Sequence, residues 1–154
     1  MAIIKSAWII GQQTTKRPQT TGAIHVTHFV YDFGSVAAQA LAAGDILELG
    51  IVPVASHITE ARLIVEGDFA ALTGDVGIMS GTVGEDLNPD GSARTSGNQL
   101  FAATALTDAF ALLAKPDAIL LAPSEFERSI GVKVSGAVAK AAGKKIHLQL
   151  FYYQ

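Results

Sequence analysis

The sequence contains no cysteine, so it has no disulfides and no thiolate chemistry, and the fold must hold by packing and subunit contacts. Charge is also scarce: Asp, Glu, Lys and Arg make up 16% of the chain, against about 25% in ordinary soluble proteins. So few charges cannot cover an isolated surface, and some apolar surface is expected to meet a partner. The formal charge of −3 argues against a nucleic-acid partner, because neutralising phosphates needs concentrated Lys and Arg. Long apolar runs are missing too. The N-terminal stretch Met1 to Ile10 is interrupted by Lys5 and is too short for a membrane span or an ordinary signal peptide. The chain is therefore expected to have no membrane partner and to stay in the cytoplasm where it is made until it joins an assembly. One Trp and three Tyr are a thin supply for an aromatic-lined glycan groove.

What is present suits a β protein. The 154 residues fit one domain, large enough to bury roughly 70% of the surface of the unfolded chain. Fifteen glycines among many Ala, Thr and Ser residues point to short strands and tight turns. Residues 11 to 22 are polar, contain no large apolar side chain, and read as an arm or linker. Before them Ile3, Ile4, Trp8, Ile9 and Ile10 form an apolar cluster. It is either an edge strand of the domain's own sheet or an arm that docks on a neighbour. The division that follows is an arm or edge strand with a polar linker over 1–21 and a sandwich domain over 22–154.

From Gly22 alternation is regular, with Ile24, Val26, His28 and Val30 on one face and His25, Thr27, Phe29 and Tyr31 on the other. Further strands are expected over 45–51, 56–66, 75–80, 117–121 and 128–134, bounded by prolines and glycines. The cleanest is the last, where Ile146, Leu148, Leu150 and Tyr152 alternate with His147, Gln149, Phe151 and Tyr153. Ser35 to Ala43 and Asn98 to Ala114 are rich in Ala and Leu and suit short helices. Seven or eight strands with few helical residues predict an antiparallel β-sandwich or jelly roll with an N-terminal extension and one or two short helices.

Motifs for chemistry are weak. Asp86-Leu-Asn88-Pro-Asp90-Gly91 opens like a calcium loop, but Gly97 stands where a bidentate Glu is needed. The segment reads better as a tight turn, with Pro89 presetting φ and Gly91 supplying the left-handed position. His25 and His28 fall on opposite faces of one strand, so they cannot share an ion, and His57 and His147 lie in other segments. The glycines of Gly74 to Gly84 lack the Gly-Lys-Ser/Thr of a phosphate loop, and Ser124-Glu-Phe-Glu-Arg128 has carboxylates without a neighbouring base. No catalytic residue, metal or cofactor is expected.

Four segments carry a resemblance to a known family: Asp45 to Val65, with its Leu-Gly and Pro-containing turn between two strands; Asp75 to Gly84; Asn98 to Thr104; and Arg128 to Gly136 with the terminal Phe151-Tyr-Tyr-Gln154. In order and turn chemistry over residues 22 to 154 they resemble tailed-phage capsid decoration (cement) proteins of the jelly-roll or β-sandwich type. That resemblance implies a virion structural protein, non-enzymatic, on the outside of a phage capsid. It would act often as a homotrimer, stabilising the shell by bridging major capsid protein subunits. Ile3, Ile4, Trp8, Ile9 and Ile10 with Lys16 and Arg17 would then form the interface. Two other classes share the composition: a β-sandwich carbohydrate-binding or adhesion module, and another virion part such as a head fibre, tail-tube or head-completion subunit.

Overall fold

The computed structural model describes residues 1–11, 22–106, 110–112 and 116–154. Among these, nine strands and one helical turn follow in chain order. They are β1 (Ile3–Lys5), β2 (His25–Asp32), β3 (Ile46–Val52), β4 (His57–Glu66), β5 (Thr73–Ile78), β6 (Phe101–Ala105), β7 (Phe110–Leu112), α1 (Pro116–Ile119), β8 (Arg128–Val134) and β9 (Lys145–Tyr153). The strands form a five-stranded sheet in the order β1-β3-β8-β5-β6 and a four-stranded sheet in the order β2-β9-β4-β7. The fold is mainly β and two-layered, as the alternation predicts. Every pairing is antiparallel except β1 with β3, which is parallel.

The period-two pattern decides which side chains meet between the layers. In β2 the buried side is Thr27, Phe29 and Tyr31, while Val26 and His28, with Ile24 just before the strand, are exposed. In β9 Ile146, Leu148, Leu150 and Tyr152 are fully buried. These join Leu47, Leu49, Val76, Ile130 and Val132 in one continuous core. The layers touch closely at Gly50 of β3, where a Cβ would lie 2.7 Å from the Phe29 ring. The outer side of the five-stranded sheet is not left open, because residues 79–97 fold across it. That excursion covers Glu48 of β3 and Ser129 of β8, both fully buried.

Three expectations fail locally. Residues 117–121, expected as a strand, instead carry the turn of α1. Pro116 has the fixed φ that suits a first helical position, and only Ala118 of the turn is buried while Ile119 and Leu120 are exposed, a pattern without period two. Asn98 to Ala114, expected as helix, supplies β6 and β7 in its described part. β6 satisfies the free hydrogen-bonding edge of β5, which outweighs alanine's helix propensity. Ser35 to Ala43 is not helical either. Tyr31 Oη accepts a hydrogen bond from the Gln39 backbone N–H at 2.8 Å, and Leu41 bridges to Val138, drawing the segment into an irregular cover.

Candidate functional site

The N-terminal segment is held by its own domain. Ile46 N–H donates to the Ala2 carbonyl (3.0 Å), Ser6 N–H to the Glu48 carbonyl (3.0 Å), and Ser6 Oγ to the Leu49 carbonyl (2.7 Å). The Asp45 carboxylate accepts from the backbone N–H of Ala2 at 2.6 Å and of Ala42 at 2.9 Å. Those two hydrogen bonds, Ala2's the larger, hold its carboxyl below the ordinary value despite burial. Ile4 is buried in the core, and Trp8 meets Phe29 edge to face at 5.1 Å. Ile3 and Ile9 are half-buried and Ile10 is exposed. Lys16 and Arg17 lie outside the described residues.

A groove of about 580 Å³, open to solvent, runs beside this segment. Trp8, Ile9, Ile51, Val54, Val83 and Phe126 line it together with Gly11, Thr82, Glu125 and Glu127. Phe126 is 75% exposed, unusual for a side chain that interiors normally take up. Its loop is nonetheless tied: Phe126 N–H donates to Ser124 Oγ (3.1 Å) and Ala55 N–H to the Ser124 carbonyl (2.8 Å). Sequence reading weighed Ser124 to Arg128 only for catalytic carboxylates and missed this aromatic. The available signal was a Phe flanked by two acids, three residues after Pro123, where burial is hard to arrange.

Next along the chain from Thr82 and Val83, the excursion enters a buried charge network. Arg94, with no exposed surface, donates from Nε to the Ser80 carbonyl (2.7 Å) and from Nη1 to the Glu85 carbonyl (2.6 Å). Its Nη2 donates to Glu48 Oε1 and to Ser129 Oγ, both at 3.0 Å. Glu48 Oε1 also accepts from Ser129 Oγ and from Gly84 N–H. Two strands, β3 and β8, and the 79–97 excursion therefore converge on one ion pair. At the outer end Lys5 pairs with Asp86 at 2.7 Å, lowering the Asp86 carboxyl. The Asn88 to Gly91 segment is a tight turn, with Gly91 N–H donating to the Asn88 carbonyl at 2.9 Å and Gly91 at φ +82°.

The histidines separate as strand geometry requires. His25 points inward beside Tyr152, whereas His28 points outward, where Nε2 lies 3.1 Å from His147 Nδ1 across β9. His147 also lies 3.2 Å from Glu66, close but without hydrogen-bond alignment, and burial lowers its imidazole more than that carboxylate raises it. Around the pair, the outer face of the four-stranded sheet mixes apolar and polar side chains, with Arg62 stacked over Phe151 and His57 on Tyr153. Among the described residues no group of three metal-ligating side chains converges.

This architecture has solved counterparts. A chain in the capsid of Ralstonia phage GP4 is 39% identical, with a TM-score of 0.84 over 99% of this chain and 98% of that one. A chain in the capsid asymmetric unit of cyanophage Pam1 shares the fold at 18% identity and a TM-score of 0.57, over 93% of this chain and 94% of that one. One in the acidic stable capsid structure of Helicobacter pylori bacteriophage KHP30 shares it at 14% and 0.52, over 88% and 90%. No family model and no curated protein matches the chain.

Proposed function

The chain belongs to a family of phage capsid proteins, and from that premise we propose that it is a non-enzymatic decoration protein, seated on the outside of the shell and bridging major capsid protein subunits. The observation that carries this reading is where the exposed apolar side chains fall. The sandwich closes its own core, yet Ile24 (64%) and Val26 (54%) at β2, and Leu120 (78%) and Phe126 (75%) between α1 and β8, stand out from its surface. Dispersed contacts of this kind suit a clamp that touches more than one neighbour, each copy adding interface across a subunit boundary. Assembly as a homotrimer would multiply these contacts, since linked sites bind with an avidity none has alone.

The N-terminal segment contributes in a restricted way. Ile4 and Trp8 are spent largely on the core, so a neighbour would meet Ile3, Ile9 and Ile10, followed along the chain by Lys16 and Arg17. The purified protein is expected to cosediment saturably with shells assembled without it and to raise their melting temperature. A mass of three chains by analytical ultracentrifugation is expected in parallel. Failure to cosediment with such shells at micromolar concentration would refute the decoration role.

A further inference from the structure

We infer that His28 and His147 form a two-imidazole binding site for a divalent transition-metal ion, zinc in the first instance, on the outer face of the four-stranded sheet. The inference is independent of the decoration reading and would stand if that reading fell.

Strand register places the pair. His28 lies opposite Gln149 and His147 opposite Val30, so the two histidines are diagonal neighbours on adjacent antiparallel strands. Such positions stand about 7–8 Å apart, a span that two imidazoles close tip to tip. His28 is exposed, and His147 is largely buried beside it. Their facing nitrogens, His28 Nε2 and His147 Nδ1, are 3.1 Å apart. Two nitrogens bound to one tetrahedral zinc at about 2.0–2.1 Å lie about 3.3 Å from each other, so the pair already has nearly the spacing that shared coordination needs. Without metal one ring donates a proton to the other; an ion would take that proton's place, each ring then carrying its N–H on the far nitrogen. At His147 that far nitrogen is Nε2, 3.2 Å from the Glu66 carboxylate. The negative charge favours a proton there and leaves the Nδ1 lone pair toward His28, as carboxylates behind metal-bound histidines do. Burial also keeps the His147 imidazole neutral near pH 7, and the neutral ring is the form that ligates. The charged neighbours of His147 are Glu66 and Lys145, paired with each other at 3.5 Å, so they set no net charge against an incoming ion. Further along the face Arg62 is paired with Glu60, and Asp32 lies across from Lys145. Among the described residues no third side chain joins the two histidines. Water would fill the other positions, making the ion exchangeable, unlike structural zinc held by four protein ligands.

The test is calorimetric titration of the full chain, carrying no affinity tag, with zinc chloride. Wild type is compared with His28→Ala, His147→Ala and, as control, His57→Ala, which removes an imidazole stacked on Tyr153 elsewhere on the same sheet. Wild type is expected to bind one zinc per chain saturably. Each of the first two variants should weaken binding at least about 10-fold, the lower end of what losing even a group behind a metal ligand costs. His57→Ala should bind as wild type does. Affinity should fall between about pH 7.5 and about pH 5.5, because protons compete for both rings. Zinc should also raise the melting temperature of wild type and of His57→Ala but not of the other two. Should His147→Ala fold poorly, His28→Ala decides the matter, since the exposed His28 can be lost without opening the core. Absence of zinc binding by wild type overturns the proposal. Wild-type affinity in His28→Ala, an equal loss in His57→Ala, or binding that ignores pH does so too.

Discussion

Replacing Arg94 by Met would remove a buried guanidinium and leave behind every group it satisfies. Glu48 would lose its paired cation in a site with no exposed surface, and the carbonyls of Ser80 and Glu85 would each lose a donor. Breaking one side of such a pair costs about 3–5 kcal/mol, because the remaining charge stays buried without compensation. For a domain of this size 1 kcal/mol corresponds to roughly 2–4 °C in Tm, so a drop of about 6–20 °C is expected. That is a large share of the roughly 5–15 kcal/mol that holds a domain together. The companion Glu48→Leu/Arg94→Met should recover much of the loss, since replacing a whole buried pair by apolar side chains is often close to neutral. Differential scanning fluorimetry with urea titration measures both. Should Arg94→Met melt within about 2 °C of wild type, the excursion over the five-stranded sheet is not pinned by this pair, and the account of that layer is wrong.

Two further outcomes follow from other contacts. Asp45 holds Ala2 and Ala42 by charged hydrogen bonds that lower its carboxyl from the ordinary 3.8. The unfolded chain therefore takes up that proton first on acidification, and the stabilisation, present above that value, is lost as pH falls through the lower folded one. Asp45→Asn should be less stable than wild type at pH 7 by about 1–3 kcal/mol, with the gap closing toward pH 2 in urea titrations; a gap independent of pH would refute the assignment. Gly50→Ala should destabilise by about 1–3 kcal/mol, because the new methyl would meet the Phe29 ring, and a urea midpoint equal to wild type would show that the layers can part there without cost.

Much of the sheet was legible because burial on one face writes itself as period two. β2, β4, β8 and β9 were each expected within a residue or three of their ends, and the inward set of β2, Thr27, Phe29 and Tyr31, was one of the two faces drawn from the sequence. What failed was short and alanine-rich. In β6, Ala102, Ala103 and Ala105 are exposed, so no apolar alternation marks the strand. Its existence depends on the open edge of β5, a partner that local sequence does not reveal. The site was less legible than the fold. Ile3 to Ile10 stood out by composition, but the use of Ile4 and Trp8 inside the domain depends on β3 and β2 lying beside them. Phe126 was hidden for the opposite reason, since a lone aromatic among acids shows its role only when Trp8 and Val83 arrive from distant parts of the chain. His28 and His147 likewise meet only because β2 and β9 are neighbours.

The position of β9 between β2 and β4 sets an order of events during synthesis. β2 and β4 do not pair with each other; each waits for residues 145–153, more than a hundred positions downstream of β2. Until that stretch is made the four-stranded sheet has no middle, and the borders of β2 and β4 that it pairs with are open. This layer can therefore close only once Lys145–Tyr153 has been made, and pairing over so long a sequence separation is slow. A chain halted short of Lys145 would present two unpaired strand borders and be prone to aggregate rather than be stored as a soluble fragment.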